Sequence, residues 1–204
     1  MTKVHPNTSS AESARAELGC GGAGVVAEAT VLTVWRKSLL FNGNGFTVFD
    51  GKGNLVFRVD NYASGSRNEI VLMDVAGKPL LSIRRKKLSL GDHWLIYSGE
   101  EVINPRFAVK KCTSLRQSKT LARVTPCVPG AKAFATFVIE GSYSQRSCCV
   151  YDNRHQQLAE IKRKESPQGI ALGLDVFRLT VEPDLDSSLA MAIVILLEQM
   201  FGSR

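Results

Sequence analysis

The chain has 204 residues, 44% hydrophobic, 22% charged and 7% aromatic, which fits one globular domain with or without a tail. It excludes a fibrous, collagenous or wholly disordered protein. Twenty-six Lys and Arg against nineteen Asp and Glu give +7, a balance that favours anionic partners such as phospholipid headgroups or nucleic acid without choosing between them.

Residues 1–28 are small and polar and cannot bury enough apolar surface to offset the entropy of ordering, so they are predicted to form a disordered or loosely docked tail. No signal peptide, myristoylation glycine, transit pattern or prenylation site is legible. With five scattered cysteines and no CxxC pair, this predicts an intracellular protein, cytoplasmic or at a membrane periphery, with the nucleus left open. Asn7-Thr8-Ser9 fits a glycosylation sequon that such a chain would not use. Gly19-Cys20-Gly21-Gly22-Ala23-Gly24 fits GxGxxG, but no buried strand precedes it and no helix follows, so it reads as a hinge and not a dinucleotide site.

From residue 29 to 204 short alternating or β-branched runs recur between Gly, Asn, Asp and Pro. They predict twelve strands: Thr30 to Trp35, Gly45 to Phe49, Leu55 to Asp60, Glu69 to Asp74, Pro79 to Arg85, His93 to Tyr97, Arg106 to Lys111, Thr120 to Thr125, Phe134 to Ile139, Ser147 to Tyr151, Leu158 to Arg163 and Asp175 to Val181. Three hairpins share a pattern in which Asp50, Asp74 and Asp152 close one apolar run and the next resumes at a fixed offset. Gly53 and Gly77 follow the first two at the place where a turn needs positive φ, and His155 takes that place in the third. These aspartates read as turn residues, not catalysts.

Near residues 185–201 the character changes. Asp184 to Ser188 offers capping residues, and LAMAIVILLEQMF continues as a helix without Gly or Pro. It is apolar all round from Leu189 to Leu197, with Leu189, Ile193, Leu196 and Leu197 as its expected core, so it must be enclosed by protein or lipid. The apolar stretch is far shorter than the roughly 20 residues a bilayer crossing needs, which predicts no transmembrane span. A closed β-barrel around a central helix satisfies this without an exposed sheet edge.

Signatures of catalysis and metal binding are missing. There is no GxSxG, HExxH, Walker A or EF-hand pattern, and His5, His93 and His155 stand apart, so neither cofactor nor metal is expected and the chain reads as a non-enzyme. Asp92-His93 in a strand would point to opposite faces, which suits a turn into a Trp94-anchored strand better than a base and its orienter. Cys148 and Cys149 read as strand neighbours with one thiol packed in the core.

Charge is the most informative feature. Residues 84–146 hold twelve basic against four acidic residues, whereas residues 147–204 hold six against eight. The groups are Arg84-Arg85-Lys86-Lys87, then Lys110, Lys111, Arg116 and Lys119, with a separate Lys162-Arg163-Lys164 later. Four successive cations in one strand would put two on each face, so this run either leaves the sheet at Lys86 or sends charges to a barrel mouth. Either geometry offers a phosphate site, and solvated edge charges are the competing account.

Several of these motifs in order resemble the plant LURP-one-related proteins. They are Lys37-Ser38-Leu39-Leu40, Gly45 to Asp50, the Arg84 to Leu90 run leading to Trp94, Val109-Lys110-Lys111, Glu140-Gly141-Ser142-Tyr143, and Asp175 to Pro183 before the hydrophobic helix. The resemblance implies a tubby-like fold, all-β with one central helix: a twelve-stranded closed β-barrel enclosing a hydrophobic C-terminal α-helix. It also implies a link to plant defence and distant kinship with tubby proteins, which bind phosphoinositides, and with phospholipid scramblases. The expectation is therefore a binding module that meets anionic phospholipid or phosphoinositide membrane through Arg84, Arg85, Lys86, Lys87, Lys110, Lys111, Arg116 and Lys119. The alternatives are a transcription-related nucleic-acid binder, scramblase-like lipid transport, and a scaffold for an unknown protein partner.

Overall fold

The computed structural model describes residues 28–37, 45–60, 69–86, 91–112, 119–127, 136–165 and 173–202. The polar segment up to residue 27, with its glycine pattern, and the candidates Lys87 and Arg116 lie outside them.

Twelve antiparallel strands form a closed barrel in the order β1-β12-β11-β10-β9-β8-β7-β6-β5-β4-β3-β2. The strands are β1 Thr30–Trp35, β2 Gly45–Phe49, β3 Leu55–Asp60, β4 Glu69–Asp74, β5 Pro79–Arg85, β6 His93–Ser98, β7 Phe107–Lys111, β8 Thr120–Pro126, β9 Phe137–Ser142, β10 Ser147–Tyr151, β11 Gln157–Arg163 and β12 Val176–Val181. Every sequential pair is a hairpin neighbour, and β1 closes on β12 over Thr30 to Trp35, so no strand edge is left open. Period-two alternation sorts the side chains: Leu32 and Val34 point into the barrel while Val31 and Trp35 stand exposed outside.

The helix α1, Ser187–Phe201, fills the lumen. Asp186 in extended conformation caps its start, accepting the Leu189 amide at 2.9 Å and the Ser188 hydroxyl. Leu189 through Leu197 are all buried, including Leu189, Ile193, Leu196 and Leu197. Inward residues of the strands, among them Val48, Leu72, Ile83, Ile96, Val124, Ile139, Ile161 and Leu179, complete one continuous core with it. At roughly 1.5–3 kcal/mol per large side chain, enclosure of this helix contributes gross stabilisation on the order of 10–20 kcal/mol.

The strand bounds predicted from sequence hold within one or two residues except at β9, expected at Phe134 to Ile139 and found at Phe137–Ser142. The ladder continues through Glu140, Gly141 and Ser142, paired with Cys149, Cys148 and Ser147, because Gly141 brings its backbone hard against the neighbouring strand. A Cβ there would lie 2.2 Å from the Ser147 carbonyl oxygen, at a φ of +118°. The helix begins at Ser187, two residues after the expected start near 185.

Candidate anion-binding surface

Because all neighbours are antiparallel, the odd strands end at one mouth of the barrel and the even strands begin there. The C-terminal end of α1 emerges at the same mouth, where Lys111, the last residue of β7, meets Met200. Here β5 ends at Arg85, β6 starts at His93, β7 ends at Lys111 and β8 starts at Thr120. Candidate cations from separate stretches of sequence are thereby brought to one region of adjacent strands.

The basic run of β5 leaves the sheet as the alternation requires. Ile83 is buried inward, so Arg84 faces out, Arg85 falls on the rim, and Lys86 follows the strand with its amide still bonded to the His93 carbonyl at 2.8 Å. Arg84 pairs with Glu69 at 2.6 Å, donates to the Glu101 carbonyl at 3.0 Å and lies 5.0 Å from the Tyr97 ring centre. Arg85 pairs with Asp92 at 2.6 Å.

Lys111 has the inward parity of Val109 and turns over the helix end. Its Nζ donates to the Met200 carbonyl at 2.7 Å, sits 3.7 Å from Asp92 and lies 4.4 Å from the Phe201 ring centre. The last turn of α1 carries no basic residue of its own, so the partial negative charge of its free carbonyls is met by a strand lysine. Arg84, Arg85 and Lys111 thus have partners inside the molecule, and Asp92 serves Arg85 and Lys111.

Four residues remain directed outward as a row. Lys86 is bonded to His93, His93 is opposite Lys110, and Lys110 is opposite Arg123, one per strand from β5 to β8. At strand spacings of about 4.8 Å the row spans roughly 14 Å. Lys86, Lys110 and Arg123 are exposed, as is Lys119 just before β8. None of these four cations has an ion-pair partner among the described residues. Like charges directly opposite one another weaken a sheet, so the row is a feature the fold tolerates and does not need. Arg123 is isolated in its own sequence neighbourhood; only the pairing register sets it beside Lys110.

Glu198 anchors the rest of this mouth. Its carboxylate accepts from Arg36 at 2.6 Å, from the Tyr143 hydroxyl at 2.9 Å and from Arg146 at 3.4 Å. Arg36 also pairs with Asp175 at 3.0 Å. The hydrogen bond to Glu198 raises the Arg36 pKa, while burial pushes the Tyr143 phenol far above its usual range. The partners of Glu198 are too distant along the chain for a local sequence pattern to announce them.

Cys148 is buried and Cys149 half-buried, alternating across β10 as expected, and burial pushes the Cys148 thiol up to about 12. Among the described residues no group of three or more His, Cys, Asp or Glu could hold a metal ion, and no helix is long and apolar enough to cross a membrane.

The comparisons agree with this architecture. The family model described as LURP-one-related matches residues 30–198. Protein LURP-one-related 8 of Arabidopsis thaliana is 50% identical over 207 residues, covering 100% of both chains. Proteins LURP-one-related 12 and 17 of the same plant are 39% and 40% identical, covering 84% and 85% of this chain and 78% and 84% of their own. An X-ray structure of an Arabidopsis thaliana protein superposes with a TM-score of 0.62 at 24% identity, over 84% of this chain and 90% of that one, a likeness of fold alone. The barrel closed around its helix and these matches together place the chain in the LURP-one-related family.

Proposed function

We propose that the protein is a non-enzymatic binding module that tethers reversibly to anionic phospholipid membrane, with plant defence signalling as the setting its family resemblance supplies. The observation that carries this reading is the outward row along β5 to β8, in which Lys86, Lys110 and Arg123, with Lys119 beside them, have no ion-pair partner among the described residues. A bilayer is flat on the scale of a barrel, so charges on an outer face reach its headgroups together. Each is worth about 1 kcal/mol near an anionic surface, so four to six acting together give weak, salt-sensitive attachment. Lys87 and Arg116 adjoin this set in sequence, whereas Arg84, Arg85 and Lys111 belong to the internal structure of the mouth.

Vesicle flotation at physiological salt tests the reading, with neutral, phosphatidylserine and phosphoinositide vesicles and a Lys86→Glu/Lys110→Glu/Arg123→Glu variant whose folding is checked by thermal melting. Binding to anionic vesicles that the variant loses supports it. Absence of binding, or binding indifferent to these charges, overturns it.

A further inference from the structure

A second basic region lies on the opposite side of the barrel. The row just described spans β5 to β8, and β2, β1, β12 and β11 face it across the closed order, with two strands intervening each way. Over these four strands runs a groove of about 840 Å3. The pairing register places Arg178 between Thr33 and Lys162, so two cations stand directly opposite each other on β12 and β11. Lys164 reaches over to donate its Nζ to the Thr33 hydroxyl at 2.7 Å, and Lys52 approaches from the β2–β3 turn.

The acids lining the groove do not cancel this. Asp50 is committed to its turn, accepting the amides of Lys52 and Asn54 at 2.8 Å each and the Asn54 side chain at 2.9 Å. Glu165 lines the groove without an ion-pair partner among the described residues, and Lys162 pairs with Glu160 at 2.8 Å. Arg163 donates to the Gln145 carbonyl at 3.0 Å, leaving Lys52, Lys164 and Arg178 without an acidic partner closer than an ion pair requires, among the described residues.

An adjoining cavity of about 300 Å3 shares Lys162, Arg163 and Glu165 with the groove and is lined by Arg146. Arg146 is 5% exposed, at a left-handed φ of 51°. Its Nε donates to the Leu174 carbonyl at 2.8 Å and its Nη2 to Glu198, but Nη1 is buried with no hydrogen-bond partner. Its guanidinium carbon lies 4.3 Å from the Tyr143 ring centre and 4.5 Å from that of Phe177, packed among buried side chains, so the cations offered to a ligand are those of the groove itself. A ligand made of acceptor oxygens, negatively charged and extended enough to meet several cations at once, has the required chemistry, and phosphate groups supply all three properties.

We infer that this groove binds a small ligand carrying two or more phosphate groups, through Lys52, Lys162, Lys164 and Arg178. Lys52, Lys162 and Arg178 are exposed and Lys164 is half-buried, on strands separated from the tethering row by two strands each way, so this site is distinct from that row.

Calorimetric titration at physiological salt tests it, with pyrophosphate and inositol hexakisphosphate as soluble probes and vesicles containing phosphatidylinositol bisphosphate as the lipid-headgroup arm. Three folded proteins are compared: wild type, Lys164→Met/Arg178→Gln, and the control Lys78→Gln/Arg154→Gln at exposed turn residues outside both basic regions. Wild type and control are expected to bind a soluble probe equally, with binding about tenfold or more weaker in the groove variant. If only vesicle binding depends on the groove, the phosphates come from a lipid headgroup and the site stands. If the first groove variant fails to fold, Lys52→Gln/Lys162→Gln takes its place. Lack of saturable binding in every arm, or binding that the groove variants retain, overturns the inference.

Discussion

The two mouths of the barrel are built on opposite principles. At the mouth where the β2–β3, β4–β5 and β10–β11 turns lie, one motif is repeated three times. The Asp50, Asp74 and Asp152 carboxylates each accept the amide of the residue four positions on, at 2.8, 2.9 and 2.7 Å. Gly53, Gly77 and His155 then adopt φ of 86°, 84° and 62°. Each turn is complete within a few residues of sequence. At the mouth where α1 ends, the bonds join Arg36 to Glu198, Lys111 to Met200 and Tyr143 to Glu198, which are 162, 89 and 55 residues apart. One end is held by bonds local in sequence, the other by bonds between residues that only the closed barrel brings together.

Mutations that separate these two kinds of construction should differ in size. The largest effect is expected where both ends depend on the enclosed helix: Ile193→Asp places an unpaired charge in an apolar lumen and should abolish cooperative thermal unfolding. A soluble variant with a sharp melt would refute enclosure. Next, Glu198→Ala removes the common partner of Arg36, Tyr143 and Arg146 and leaves the buried Arg146 with less compensation. Allowing for the partial exposure of Arg36, about 2–4 kcal/mol should be lost in denaturant titration.

A pH experiment sharpens the contrast. Burial raises the Cys148 thiol from 9.0 to about 12, so above pH 9 the folded state holds a proton that the unfolded state releases. Stability attributable to this group is present below pH 9 and is lost as pH rises toward 12. Cys148→Ala should flatten that part of the alkaline stability curve, and an unchanged slope would show that the thiol is not shielded. The smallest effect belongs to the locally built end, where Asp74→Ala removes one carboxylate-to-amide bond at an exposed turn and should cost about 1 kcal/mol. A larger loss there than at Glu198 would reverse the comparison.

The same division explains what could be read from the sequence. The aspartate turns are legible because carboxylate, offset and positive-φ residue lie together, and His155 is recognisable by standing where glycine does in the other two. The enclosed helix is legible because Leu189 to Leu197 offers no polar face. The strand expected to end at Ile139 runs on through Gly141, which marks a close approach of two strands that no local pattern announces. The candidate surface was legible only as composition: Arg84 and Arg85 read as free cations until β4 and β6 bring Glu69 and Asp92 to them. Lys111 belongs to the helix end, and Arg123 joins the outward row through register alone.

Hydrogen–deuterium exchange with and without vesicles of phosphatidylcholine and phosphatidylserine tests the central claim most directly, because it asks which face meets the membrane. The account predicts slowed exchange in peptides from residues 86–93 and 107–123, with the three aspartate turns unchanged. Slowed exchange confined to those turns, or no change anywhere despite confirmed vesicle binding, would contradict it.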